Sequence, residues 1–141
     1  MRRTIAAVVL LLPLAAASQS RPPDNAHVTE LLQQIKGREE EPAGKVFKNV
    51  KVLKDIPAAR FLRIMDAGYS RSLGVGCDHC HNEDDWASDE LRPKGAAREM
   101  AVMTREINDR LDKMEHLDDE DSTVNCTTCH RGTIKPATTL Q

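Results

Sequence analysis

From Ala26 to Lys36 the apolar positions Val28, Leu31, Leu32 and Ile35 recur at helical spacing between polar residues, which predicts a short amphipathic helix. Asn49 to Leu53 is short and Val-containing and reads as extended. Asp55 reads as a helix N-cap, with Pro57 just inside the helix it opens. Ala58, Phe61, Leu62, Met65 and Tyr69 form one stripe along that helix, and Gly74 to Gly76 end it. A longer helix is predicted from about Gly95 to His116, with Ala97, Met100, Met103, Ile107, Leu111 and Met114 on its buried face. Gly37 to Gly44, carrying Glu39-Glu40-Glu41, reads as a solvated connector, and Asp118 to Asp121 as an acidic surface turn. The fold class is therefore all-α with little regular β. Its layout is duplicated: a methionine-bearing helix, a break, then a cysteine-rich run, twice.

Ahead of this pattern, Arg2 and Arg3 precede an apolar run, Ile5 to Ala17, interrupted by Pro13 and closed by the small residues Ala15-Ala16-Ala17-Ser18. That is the layout of a secretory signal over residues 1–18, and the run is short for a membrane span. An uncleaved anchor is the competing reading; no Cys follows the run to take a lipid. Export places the mature protein in the periplasm or an equivalent compartment. Residues 19–44 read as a linker containing the short helix, 45–134 as the compact domain and 135–141 as a tail. A length of 141 residues points to one such domain.

With 40% hydrophobic and 30% charged residues the chain is of the soluble globular class, but only 3% are aromatic. A core of ordinary side chains would be thin, and something else is expected to fill it. Losing the leader removes two of the 20 basic residues and none of the 22 acidic ones, so the exported chain is more acidic than the formal −2 of the whole. Such a chain has no basic field for nucleic acid.

All four cysteines fall in two runs, Cys77-Asp78-His79-Cys80-His81 and Cys126-Thr127-Thr128-Cys129-His130. Each is a Cys-x-x-Cys-His, the haem c attachment pattern. Two cysteines three apart lie together on a helical turn and can form thioethers to the two vinyl groups. The next residue, His81 or His130, then presents its imidazole to the iron. Two haem c groups are the expected cofactors. Two disulfides, an all-cysteine zinc site and a redox dithiol compete for the same cysteines, but none of them requires a His after both pairs.

Each iron then needs a sixth ligand or keeps an open face. Met65 lies twelve residues before Cys77 across a Gly-rich reversal, so its helix can fold back with a haem between. Met100 and Met103 occupy the corresponding place before Cys126, and spacing does not choose between them. Met114 is a further methionine on the same face. Among the spare histidines, His79 sits inside its own attachment loop, His116 precedes the acidic turn, and His27 is the one candidate for bis-His ligation.

The stretches Asn49-Val50-Lys51-Val52-Leu53, Phe61-Leu62-Arg63-Ile64-Met65 and Gly76 to His81 resemble the tetrahaem cytochrome subunit of photosynthetic reaction centres. So do Ala97-Arg98-Glu99-Met100, Met103-Thr104-Arg105-Glu106-Ile107-Asn108 and Val124 to Gly132. The resemblance covers about Lys45 to Thr133 and two of the four haem motifs, one half of such a subunit. It implies two helix–turn–helix haem units, with Met65 the ligand of the first iron and Met100 that of the second. Met103, like Phe61, becomes a haem-pocket residue.

The resulting expectation is an electron carrier, not an enzyme, exchanging electrons with donor and acceptor proteins and associating with a membrane complex. No small-molecule substrate is expected, because six-coordinate irons offer no open site. Glu83-Asp84-Asp85 and Asp118 to Asp121 read first as solvated faces, with steering of a basic redox partner as the competing reading. A dihaem peroxidase is the competing enzyme, and it would need a displaceable ligand with acid–base residues facing it.

Overall fold

The computed structural model describes residues 25–117 and 122–139. The leader and the acidic turn Asp118 to Asp121 lie outside the described residues. Among those described, every regular element is helical, and β pairing is limited to the isolated bridges Pro42–Pro57 and Asn82–Asp85. No described helix is long and apolar enough to cross a membrane.

Helix α1 spans Ala26–Gln34, and the Asn25 side chain caps it by accepting from the His27 amide at 2.9 Å. Val28 and Ile35, two turns apart, share one face. That face meets Ala58 and Leu62 of α3 (Ala58–Arg63), with Leu31, Leu32, Val46 and Phe47 packed around them. The helix expected inside a linker is thus part of the packed body. Small side chains on α3 explain the close approach, since Ala58 is fully buried and Ala59 nearly so.

The start of α3 differs from the expectation. Pro57, not Asp55, occupies the cap position. The free amides of Ala58 and Ala59 donate to the carbonyls of Glu41 and Glu39 at 2.9 and 3.0 Å. Backbone acceptors from the acidic connector therefore do the work assigned to the Asp55 carboxylate. A short helix α2, Ala43–Val46, follows that connector. The 49–53 segment is not extended: Asn49 and Leu53 both adopt left-handed backbone, at φ 58° and 59°.

Beyond Arg63 the helix continues as a π-helical segment, Ile64–Ser70, and ends as α4, Arg71–Leu73. A strict spacing of four, as in Phe61, Met65, Tyr69 and Leu73, drifts around an α-helix with its 3.6-residue turn. The wider π turn opposes that drift and keeps the four side chains on one wall. Asp66, buried on the opposite side, pairs with Arg71 at 2.7 Å. Gly74, in left-handed conformation at φ 68°, stops the helix.

Helix α5 runs Arg92–Leu111, beginning and ending earlier than the predicted 95–116. Pro93 fits the first turn, where its missing amide costs nothing. After Leu111 the amides of Lys113 and Met114 reach back only three residues, so Met114 and His116 fall beyond the helix. Helix α6 is Cys126–His130, closed by a capping box between Asn125 and Thr128.

The buried apolar set is small: Val28, Ile35, Ala43, Ala58, Ala59 and Leu62. The described residues thus have the thin core expected from the low aromatic content.

Candidate haem-binding sites

The wall of Phe61, Met65, Tyr69 and Leu73 faces a cavity of about 420 Å³, within the roughly 300–1,000 Å³ range of small-molecule sites. Cys77, Cys80 and His81 line the same cavity, together with Val28, Phe47 and Trp86. The first Cys-x-x-Cys-His and its expected methionine therefore share one apolar chamber. Phe47 stacks on Phe61 with ring centres 5.6 Å apart.

Cys77–His79 forms a 3-10 turn, and the amide of His81 donates to the Cys77 carbonyl at 3.0 Å. The His81 ring lies 5.4 Å from the Trp86 ring, and its Nδ1 stands 3.3 Å from the Trp86 carbonyl oxygen. Donation from Nδ1 leaves the Nε2 lone pair free for a metal. Burial lowers the His81 pKa, opposed by the Trp86 bond and assisted by Lys94 and Arg98, so the net direction favours the neutral imidazole.

Sequence reasoning missed Trp86, Lys94 and Arg98. Lys94 is 8% exposed and donates through Nζ to the carbonyls of Trp86, at 2.9 Å, and Ser88, at 2.5 Å. Arg98 pairs with Asp89 at 2.8 Å and donates to the Asn49 carbonyl at 3.1 Å. Hydrogen bonds from Lys51 and Asn49, with Arg98, hold the Asp89 carboxyl well below the usual carboxylate range. The nearest signal in the sequence is the single Trp five residues after His81.

The second motif is built differently. Its His130 Nδ1 stands 3.1 Å from the Thr133 carbonyl oxygen, repeating the Nδ1–carbonyl pairing of His81. Asn108 of α5 anchors the approach to α6, donating to the Val124 carbonyl at 3.0 Å and accepting from its amide at 2.8 Å. Helix α5 thus serves both sites. Lys94, Ala97 and Arg98 line the first cavity, while Met100, Met103 and Ile107 leave an apolar stripe 46%, 44% and 37% exposed. Met100 and Met103 are equally open, so exposure does not separate them.

His27 lines the first cavity, but its Nε2 faces Glu83 Oε1 at 3.2 Å. His79 is half-buried in its loop, and His116 is exposed off the end of α5.

All four cysteines are free. Burial is the first cause raising the thiol pKa values of Cys77, Cys80 and Cys126, with Glu83, Asp66 and Asp78 adding to it at Cys77. Raised thiol pKa values are the reverse of what an active dithiol requires. Among the described residues no group of three or more His, Cys, Asp or Glu is placed to hold a metal ion. Burial and the neighbouring Cys126 and Cys80 push the Tyr69 phenol up to about 12.

The family model for the photosynthetic reaction centre cytochrome c subunit matches residues 15–140. The chain belongs to this family. Within it, the chain is 38% identical over 95 residues to the reaction centre cytochrome c subunit of Thermochromatium tepidum, covering 67% of this chain and 22% of that protein. It is 38% identical over 102 residues to the subunit of Roseobacter denitrificans, covering 70% and 27%. Cytochrome c-554 of Chloroflexus aurantiacus is 39% identical over 83 residues, covering 58% and 20%. The chain therefore spans between a fifth and about a quarter of the length of these relatives. Membership implies covalently bound haem c, and the residues fit it: an apolar chamber carrying two thiols, a neutral imidazole with Nε2 free, and a thioether on the facing wall.

Proposed function

We propose that this family member is an exported electron carrier holding two haem c groups, on Cys77 and Cys80 and on Cys126 and Cys129, with no catalytic role of its own. The supporting observation is the repeated imidazole setting. Both His81 and His130 have Nδ1 within reach of a backbone carbonyl, and donation there leaves Nε2 available to an iron. In this reading Met65 is the sixth ligand at the first site and Met100 at the second, with Phe61 and Met103 as pocket walls.

Bound haem c supplies a reversible one-electron iron couple. Phe47, Phe61 and Tyr69 keep water from the first chamber, the Trp86 carbonyl holds His81 in one tautomer, and Lys94 and Arg98 bias the site toward the reduced state. Methionine at both sixth positions leaves no face for a substrate, so the partners are a donor and an acceptor protein. A membrane complex of the kind named for the relatives is one of them, met on the exported side after removal of residues 1–18. Intact mass of the protein from cells competent in haem attachment tests the reading. The expected mass is the leaderless chain plus two haems; one haem or none overturns it.

A further inference from the structure

The two attachment segments are not merely neighbours. Ser72, 2% exposed, places its Oγ 2.6 Å from Thr127 Oγ1, inside the second Cys-x-x-Cys run. The same Ser72 hydroxyl donates to the Ala67 carbonyl at 3.0 Å, so Thr127 is the donor in the hydroxyl pair. The Ser72 carbonyl accepts from the Gly132 amide at 2.8 Å, two residues after His130. Gly74, three residues before Cys77, passes so near that an added Cβ would collide with the Gly132 carbonyl oxygen. Tyr69, one turn before Ser72, lines the first chamber together with Cys80. Of the three contacts made by Ser72 and Gly74 with the second segment, two are made by backbone, which has no rotamers to relax.

We propose that this clamp, Gly74 against Gly132 with the Ser72–Thr127 hydroxyl pair across it, positions the two haem groups relative to one another and so sets the electronic coupling between them. The proposal rests on the two-haem reading. Transfer between two centres falls steeply with their gap and depends on their mutual orientation. A chain whose anchors moved independently would hold two haems without a defined path between them. Ser72, Thr127 and Gly74 are accordingly positioning residues, since they touch the anchoring segments and not the iron; Gly132 enters only through its backbone, and the space at its Cα is open.

The test uses the full haem-loaded protein, with intact mass read alongside visible circular dichroism and a spectroelectrochemical titration. Two fixed haems give the wild type a paired positive and negative signal in the Soret band. Gly74→Ala is expected to lose that couplet and to change the separation of the two potentials while both haems stay attached. Gly132→Ala is the control: it has the same left-handed strain, at φ 85°, but its Cβ meets nothing within 4 Å, and it should keep the couplet. Thr127→Val removes only the hydroxyl and should weaken the couplet. A normal couplet and an unchanged separation in Gly74→Ala with two haems overturn the clamp, as does equal loss in Gly132→Ala. Should Gly74→Ala not accumulate, Thr127→Val decides, an unchanged signal counting against the proposal. A wild-type mass with one haem instead removes the reading beneath it.

Discussion

Replacing Lys94 by Met should lower the reduction potential of the first haem and leave the second where it was. The Lys94 ammonium and the His81 ring share one acceptor, the Trp86 carbonyl oxygen, at 2.9 and 3.3 Å. These two bonds put the positive charge within about 6 Å of Nδ1. A charge at that distance is worth about 3 kcal/mol at an effective dielectric of 20 and about 0.7 kcal/mol in water. The charge gained on oxidation is centred further out than the ring nitrogen, so the low end applies, about 1 kcal/mol. At about 59 mV per tenfold change for one electron, that is about 40 mV. The sign follows from repulsion: a cation disfavours the oxidised iron, so removing it makes the site easier to oxidise. Met keeps the apolar stem in its 8%-exposed slot, which separates the charge effect from a packing defect. Spectroelectrochemical titration of the loaded protein gives both potentials in one experiment. A first-haem potential that stays or rises, or an equal fall at both haems, would refute the reasoning.

Four further outcomes are expected. Leu62→Ala, in the small cluster between α1 and α3, should cost about 2–4 kcal/mol, read as a shifted denaturant midpoint. Of Met100→Leu and Met103→Leu, only the first should abolish the methionine-ligand signature of the second haem; loss in the Met103 variant instead would reassign the ligand. Peroxide should oxidise Met100 and Met103 more slowly in the loaded protein than in the haem-free chain, where both are over two-fifths exposed, and equal rates would leave the second haem elsewhere. Because the folded Asp89 pKa lies below its unfolded value, the stability it contributes is complete above about pH 4 and is lost as pH falls through the folded value. Asp89→Asn should therefore show a flatter acid limb in thermal melts taken against pH, and an unaltered limb would contradict this.

Several parts of this arrangement were legible in the residue pattern because they are local. The two attachment runs, the α1 stripe and the Met65 wall are each defined by spacings along one segment. The Phe61–Met65–Tyr69 stripe was read as ordinary α-helix, and it holds because of a π turn that no periodicity count would distinguish from four-residue spacing. What escaped was set by contacts across the chain. The Glu39 and Glu41 carbonyls cap α3 in place of Asp55, Asn49 is held in left-handed backbone by Ala87, Asp89 and Arg98, and α1 docks on α3. No local pattern marked Lys94 or Arg98; they line the first cavity because the Trp86 carbonyl and the Asp89 carboxylate meet them from another segment.

The small buried set has a consequence for the life of the protein in the cell. Among the described residues six apolar side chains are buried, three of them alanines, which is little to hold the fold closed until the chamber is filled. On the two-haem reading, a copy without its prosthetic groups is therefore expected to be the more open to proteases. One that has been loaded is sealed by covalent bonds that cannot dissociate. On that reading abundance would follow maturation, because unfilled copies are the ones that turnover removes first.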